Sequence, residues 1–403
     1  MRIRCKNRAW GFPLVVAFMI LTAGCGTSGA ATVAPTPMIP ATAPANVEQV
    51  RRLAWVQVST GPFRTAAIRE DGTLWAWGRG GVGDGTTTSR SRPTRIGTAT
   101  NWTSVSLGNG YAMATRSDGT LWAWGTNIFS RFGDGTRTTR HAPIRIGTAA
   151  DWAFVAAGNN YTVAIRRDGS LWAWGQNIAG QIGDGTRTDR IFPTRVGTET
   201  NWASVSASWF HGGHSTLAIR EDGSLWAWGS NRLGQLGDGT TIHRDTPVRI
   251  GMDTNWATVS IAVSHAVAVR TDGTLWTWGV NPNGELGDGT TVNRNIPTRI
   301  GTATNWTLAV AGVLHTVAIT TDGELWAWGD NEHGQLGDGT TTSRNTPVQI
   351  AAERTWAYAS AGLWDTVAIT TDGELWAWGQ NNFGQLGDGT TTRRLTPIRV
   401  LAP

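Results

Sequence analysis

The chain has 403 residues, 40% of them hydrophobic, with 24 Trp, 52 Gly and two Cys. Its formal net charge is +5, but Arg2, Arg4, Lys6 and Arg8 carry four of the 34 positive charges, which leaves 30 Arg against 29 Asp plus Glu. Overall charge therefore gives no basis for a nucleic-acid or anionic-membrane surface, and the absence of any Lys after Lys6 excludes Lys nucleophiles and Schiff-base chemistry beyond that point.

Residues 1–24 read as an export signal. Basic residues precede an apolar core from Phe12 to Leu21, and roughly ten residues fall short of the about twenty a spanning helix needs. The core runs into Leu21-Thr22-Ala23-Gly24-Cys25, which resembles the lipobox of bacterial lipoproteins. The resemblance implies acylation of Cys25 and export to a cell membrane or outer membrane, facing outside the cytoplasm. Removal of Cys5 with the signal would leave Cys25 alone, so no disulfide framework can form. Residues 25–50 are rich in Ala, Thr and Pro, including Pro35, Pro37, Pro40 and Pro44. Such a stretch buries little and favours extended backbone, as a tether would.

From residue 51 to 403 the chain repeats itself. Leu-Trp-Ala-Trp-Gly occurs seven times, once with Thr for Ala, and the first Trp of each copy is Trp75, Trp122, Trp172, Trp226, Trp276, Trp326 and Trp376. Another Trp opens each repeat: Trp55, Trp102, Trp152, Trp202, Trp256, Trp306 and Trp356. The repeats run near 55–101, 102–151, 152–201, 202–255, 256–305, 306–355 and 356–403. A period near fifty residues fits one small sheet per repeat.

The fifth repeat shows the expected elements. Trp256 to Ile261 and the alternating stretch from His265 to Arg270 read as two strands, and Asp272-Gly273 supplies the turn after them. Leu275 to Gly279 forms a third strand whose two Trp face one side. After a Gly-rich loop, Pro297 stands beside an expected edge strand of Thr298, Arg299 and Ile300. Four strands per repeat, seven repeats and no helical periodicity predict an all-β fold, a seven-bladed β-propeller of four-stranded antiparallel blades. The 21 Trp of the grid are expected to fill the space between blades.

The stretch Asn331-Glu-His-Gly-Gln-Leu-Gly-Asp-Gly-Thr340, its copies at Asn231 and Asn381, and the preceding Asp-Gly-x-Leu-Trp-Ala-Trp-Gly resemble the repeats of the regulator-of-chromosome-condensation family. The resemblance covers about residues 51 to 403 and implies the propeller fold. It does not imply one activity: relatives so built include a nuclear nucleotide-exchange factor, ubiquitin-ligase accessory modules and secreted bacterial proteins that inhibit β-lactamases.

Charges that recur in every repeat read as loop staples, because an Asp in a turn bonds its own backbone. They are the turn aspartates such as Asp272, the Gly-Asp-Gly aspartates such as Asp288, and the arginines such as Arg294. Each Gly-Asp-Gly loop carries one carboxylate, too few for Ca²⁺, and lacks the Gly-Lys-Ser/Thr ending of a phosphate cradle.

Departures from the grid point to function. The loop joining strands one and two carries Phe63, Arg64, Tyr111, Tyr161, His265, His315, Trp364 and Asp365, and in the fourth repeat it grows by four residues to include Trp209, Phe210, His211 and His214. Aromatic, Arg and His side chains gathered at one face suit a binding surface. The four histidines fall in consecutive blades, but no acidic or Cys partner stands at ligand spacing, so no metal or cofactor is expected. No catalytic constellation is present either. The expected function is a non-catalytic, envelope-anchored binder of an extracytoplasmic protein, touching the membrane only through its N-terminal lipid and touching no nucleic acid. Its alternative is a cell-wall carbohydrate or peptidoglycan binder, followed by a glycan-active enzyme or a guanine-nucleotide exchange factor.

Overall fold

Among the described residues, twenty-eight strands follow one another without a helix between them, grouped as seven antiparallel sheets of four consecutive strands each. The computed structural model describes residues 53–401. The expected export signal and tether, with Cys25, lie outside the described residues. The seven-bladed propeller expected from the repeats is the fold.

In the first blade the strands are Trp55–Gly61, Arg64–Arg69, Leu74–Gly78 and Arg90–Arg95, and each later blade repeats this order. The first strands surround the axis and line a central channel of about 240 Å³. The fifth blade has the three expected strands Trp256–Ile261, His265–Arg270 and Leu275–Gly279. Its fourth differs: it begins at Arg294 rather than after Pro297, and runs to Arg299. Pro297 sits inside it, where the register slips between Thr277 and Gly279. A slipped ladder on an outer strand needs no amide proton at that point, so proline costs nothing there.

The tryptophans do different jobs. The second Trp of each pair is at most 2% exposed, whereas the first stays half-buried in six blades and only Trp376 is buried. Every second Trp donates its indole N–H to a carbonyl in the Gly-rich loop of the preceding blade. Trp124 bonds Val82 O at 2.8 Å, Trp228 bonds Gln181 O at 2.9 Å and Trp378 bonds Gln335 O at 2.9 Å. The indole can lie that close because the first Gly of Gly-Asp-Gly has no side chain. A Cβ on Gly237 would come within 2.8 Å of Trp278 Nε1, and its φ of +79° already disfavours other residues. The motif is thus the seat for the neighbour's indole. Truncating one such ring would cost about 3–5 kcal/mol.

The recurrent charges are staples. In six blades the loop Asp pairs with the Arg six residues on, as Asp238 with Arg244 at 2.6 Å, and Asp238 also accepts from Thr240. The turn aspartates act likewise: Asp272 accepts from Thr274, whose hydroxyl in turn accepts the Trp276 indole N–H at 2.8 Å. Serines on the inner strands stitch blade to blade, as Ser206 accepts from Ile261 N at 3.1 Å and Ser360 from Thr60 N at 3.0 Å.

Ring closure follows the same rules. The N-terminal strand stays in the first blade, so no strand is exchanged with the seventh. Trp77 donates to Gln385 O at 2.8 Å and Trp55 N to Gly373 O at 3.0 Å across this seam.

Candidate functional site

The loops joining strands one and two meet over one mouth of the channel. In the fourth to seventh blades their tips are apolar, through Trp209, Phe210, Val263, Val313, Leu314, Leu363 and Trp364, while Asn109, Asn159 and Asn160 stand at the tips in the second and third. The larger fourth loop folds Trp209 inward, where it is 9% exposed, lines the channel and packs on Ala262, Val313 and Leu363. Around this plug lie the half-buried Phe63, Phe210, Val263, Leu314 and Trp364, one contiguous apolar cluster.

The patch extends over the rim of the first and seventh blades. Phe63, held at a φ of +61°, lies 5.8 Å from Trp364 and 4.9 Å from Phe383 by ring centroid. His333 lies 4.8 Å from Trp364, and the exposed Arg79 sits 5.3 Å above Phe383. The adjoining Arg64 donates to the Arg79 and Gly80 carbonyls, and burial together with Arg79 brings its guanidinium down to about 10. The first blade's Gly-rich loop is three residues shorter than its neighbours', reaching from Arg79 to Asp84 instead of from Thr126 to Asp134. Its edge of the mouth is correspondingly low and basic.

Of the residues singled out in the sequence, Phe63, Trp209, Phe210, His211 and Trp364 come together here, Phe210 standing 4.9 Å from the exposed His211. His214 turns away to Gln181 at 3.2 Å, and burial lowers its pKa. The others lie elsewhere. Tyr111, Tyr161, His265, His315 and Asp365 are buried at 1% exposure or less. Each is the first residue of strand two, not a loop tip, and points into the seam with the next blade.

There they act as cross-seam pins. Tyr111 and Tyr161 donate to the carbonyls of Tyr161 and Ser215, and lie 3.0 and 3.1 Å from the hydroxyls of Thr162 and Thr216. Burial pushes the Tyr161 phenol up to about 12. His265 and His315 meet Thr316 and Thr366 at 3.0 Å through Nε2. Both threonine hydroxyls donate onward, to Glu285 O and Gln335 O at 2.8 Å. The imidazoles must therefore supply the Nε2 proton, which leaves a bare Nδ1. Burial keeps both rings neutral, near 4 and 3. Asp365 occupies the same slot opposite Thr65, but neither carboxyl oxygen finds a partner, and burial raises its pKa to about 8.

His265 and His315 are thus separated from His211 and His214 by their roles. Among the described residues, no three His, Cys, Asp or Glu side chains converge on a metal-sized space. Sequence reading overlooked Val263, Leu314, His333, Phe383 and Arg79. The signal for the first two was aliphatic residues at loop tips where other repeats carry Asn.

The RCC1-like domain profile matches residues 18–312 and 213–403. No curated protein sequence matches significantly. Among solved structures, human WBSCR16 is similar with a TM-score of 0.72 at 21% identity, over 82% of this chain and 94% of that one. Prp20p from Saccharomyces cerevisiae, described with its binding properties to Gsp1p and histones, gives 0.68 at 19% identity, over 78% and 81%. Yeast RCC1 (Prp20) with Kap60 bound gives 0.72 at 18% identity, over 93% and 91%. At such identities the likeness is one of fold.

Proposed function

Because the chain belongs to the RCC1-like domain family, we propose that it is a non-catalytic propeller that binds a protein through the apolar channel mouth. The observation that carries this reading is the half-exposed cluster of Phe63, Phe210, Val263, Leu314 and Trp364. A water-facing cluster of this kind, rimmed by Arg79 and His211, is unnecessary for a fold already filled by its buried indoles, and such patches mark contact surfaces. The buried Tyr111, Tyr161, His265 and His315 hold blades together, a structural role that supports the binding reading. Anchorage at the envelope through Cys25 belongs to the same proposal and rests on the sequence around it.

Two measurements test this. A photo-reactive amino acid at Phe210 or Trp364, in protein expressed with its own N-terminus, should give discrete protein adducts. A double change, Phe210→Ala with Trp364→Ala, should abolish capture of the adducted partner while leaving the melting temperature nearly unchanged. Unaltered capture sinks the proposal. Trp209 is unsuitable for this experiment, because it plugs the channel and its loss would unsettle the fold. Cys25→Ser should move the protein from the membrane fraction to the soluble one; unchanged fractionation removes the lipid anchor.

A further inference from the structure

The face of the ring opposite the channel mouth carries seven outer indole pairs, and six are covered by an arginine of the chain itself. In the first five blades the cover is the last residue of strand two: Arg69, Arg116, Arg166, Arg220 or Arg270. Each guanidinium carbon lies 3.7 to 4.7 Å from the centroids of both indoles. In the seventh blade Thr370 replaces that arginine, and Arg354 reaches in from the preceding connection to stand 3.8 Å over Trp376.

The sixth blade has neither. Strand two ends in Thr320, and at the end of strand four Gln349 replaces the arginine found in all the others. The Thr or Ser that accepts the first indole in the first five blades is replaced by Glu324, whose Oε2 lies 3.3 Å from Trp326 Nε1. Its counterpart Glu374 is neutralised by Arg399 at 2.5 Å. No cation pairs with Glu324 among the described residues. Trp306 is the most exposed of the seven opening tryptophans, at 8% against 1 to 4%. It keeps its edge contact with Trp326 at 6.1 Å but lacks the second indole contact the other six make.

The notch thus brings together two indole rings and the Glu324 carboxylate, which has no cationic partner among the described residues, with the acidic Asp322 two residues before it. We propose that the Trp306–Trp326 notch receives an arginine side chain presented by a partner protein. The same two rings, in the same arrangement, hold a guanidinium in five other blades of this chain, and Glu324 offers a carboxylate, as Asp151, Glu199 and Asp253 do to Arg166, Arg220 and Arg270. The notch faces away from the channel mouth, so the inference stands apart from the proposal above.

The test is titration of the ¹⁵N-labelled protein with N-acetyl-arginine amide, followed through the indole N–H resonances. The signals of Trp306 and Trp326, assigned by Trp306→Phe and Trp326→Phe, should move alone and saturate. The citrulline analogue, of the same shape without charge, should leave them in place, and the lysine analogue should bind more weakly. Thr320→Arg, which copies the five filled blades, should abolish the response while the other indole signals keep their positions. Glu324→Gln should weaken binding about two- to fivefold. Still signals at Trp306 and Trp326, an equal response to citrulline or lysine, or a response surviving Thr320→Arg overturns the proposal.

Discussion

Replacing Asp365 with histidine should strengthen the seam that closes the ring. In the two seams before it, an imidazole Nε2–H reaches a threonine hydroxyl at 3.0 Å. Across the last seam Thr65 is arranged in the same way, donating to Gln385 O at 2.8 Å and so presenting its oxygen as an acceptor. Asp365 leaves that acceptor unused and keeps two buried oxygens unpaired. Gly362 already leaves room behind the slot, as Gly312 does behind His315. Burial raises the Asp365 carboxyl from 3.8 to about 8. Below about pH 4 both the folded and unfolded forms hold the proton and nothing is lost. From there to about pH 8 the unfolded chain releases it while the folded one retains it, so stability falls as pH rises. At about 1.4 kcal/mol per tenfold, the upper limit of that loss is roughly 6 kcal/mol; water entering the seam would relieve part of it. Asp365→His should therefore gain on the order of 2–4 kcal/mol at pH 8, from the removed penalty and one new hydrogen bond. The sign reverses in acid, because a buried neutral imidazole loses stability below about pH 6.5. Urea unfolding of wild type, Asp365→His and Asp365→Asn from pH 4 to 9 measures this. A wild-type curve flat across that range, or a histidine variant less stable at pH 8, would refute the reasoning.

Two further outcomes are expected. Gly237→Ala should cost clearly more than Gly239→Ala, by about 1–3 kcal/mol in thermal unfolding. Both have a φ of +79°, but only the first would press a Cβ on Trp278 Nε1, while the second has 3.7 Å to Ile296; equal losses would deny that the motif seats the indole. The loop aspartates give the acid limit. Burial raises the Asp238 carboxyl, but Thr240 and Arg244 outweigh it and hold it below the usual range, as happens with Asp84, Asp184, Asp288, Asp338 and Asp388. Their contribution is complete above about pH 4 and lost as pH falls through the lowered values. Acid unfolding should therefore shift to higher pH in Asp238→Asn, read by tryptophan fluorescence.

The blades were legible because tandem copies expose their own grammar: an indole, a turn or a Gly-Asp-Gly that returns seven times must serve something every blade shares. Placement within a strand was harder. Tyr111, Tyr161, His265, His315 and Asp365 read as loop tips, yet standing one residue further on, as strand openers, turns each side chain from solvent into the seam. The partners of the first four lie some fifty residues away, and only the threonine after each following opener (Thr162, Thr216, Thr316, Thr366) records the pairing. Trp209 shows the converse. Size and position suggested an anchor for a partner, but a four-residue insertion lets the ring drop into the channel. The open pair at Trp306 was equally written in the sequence, as Thr320 and Gln349 standing where arginine is the rule. Its meaning needed the stacking geometry of the other blades.

Each sheet takes its four strands from one uninterrupted stretch of chain, and the last seam repeats the indole-to-loop hydrogen bond of the other six. Covalent order is then almost irrelevant to the circle. A circular permutant joined between Leu401 and Leu53 and cut between the third and fourth sheets would exchange one peptide link for another. The carboxyl at position 365 would then sit at an internal junction, its burden shifted from closing the ring to joining neighbours.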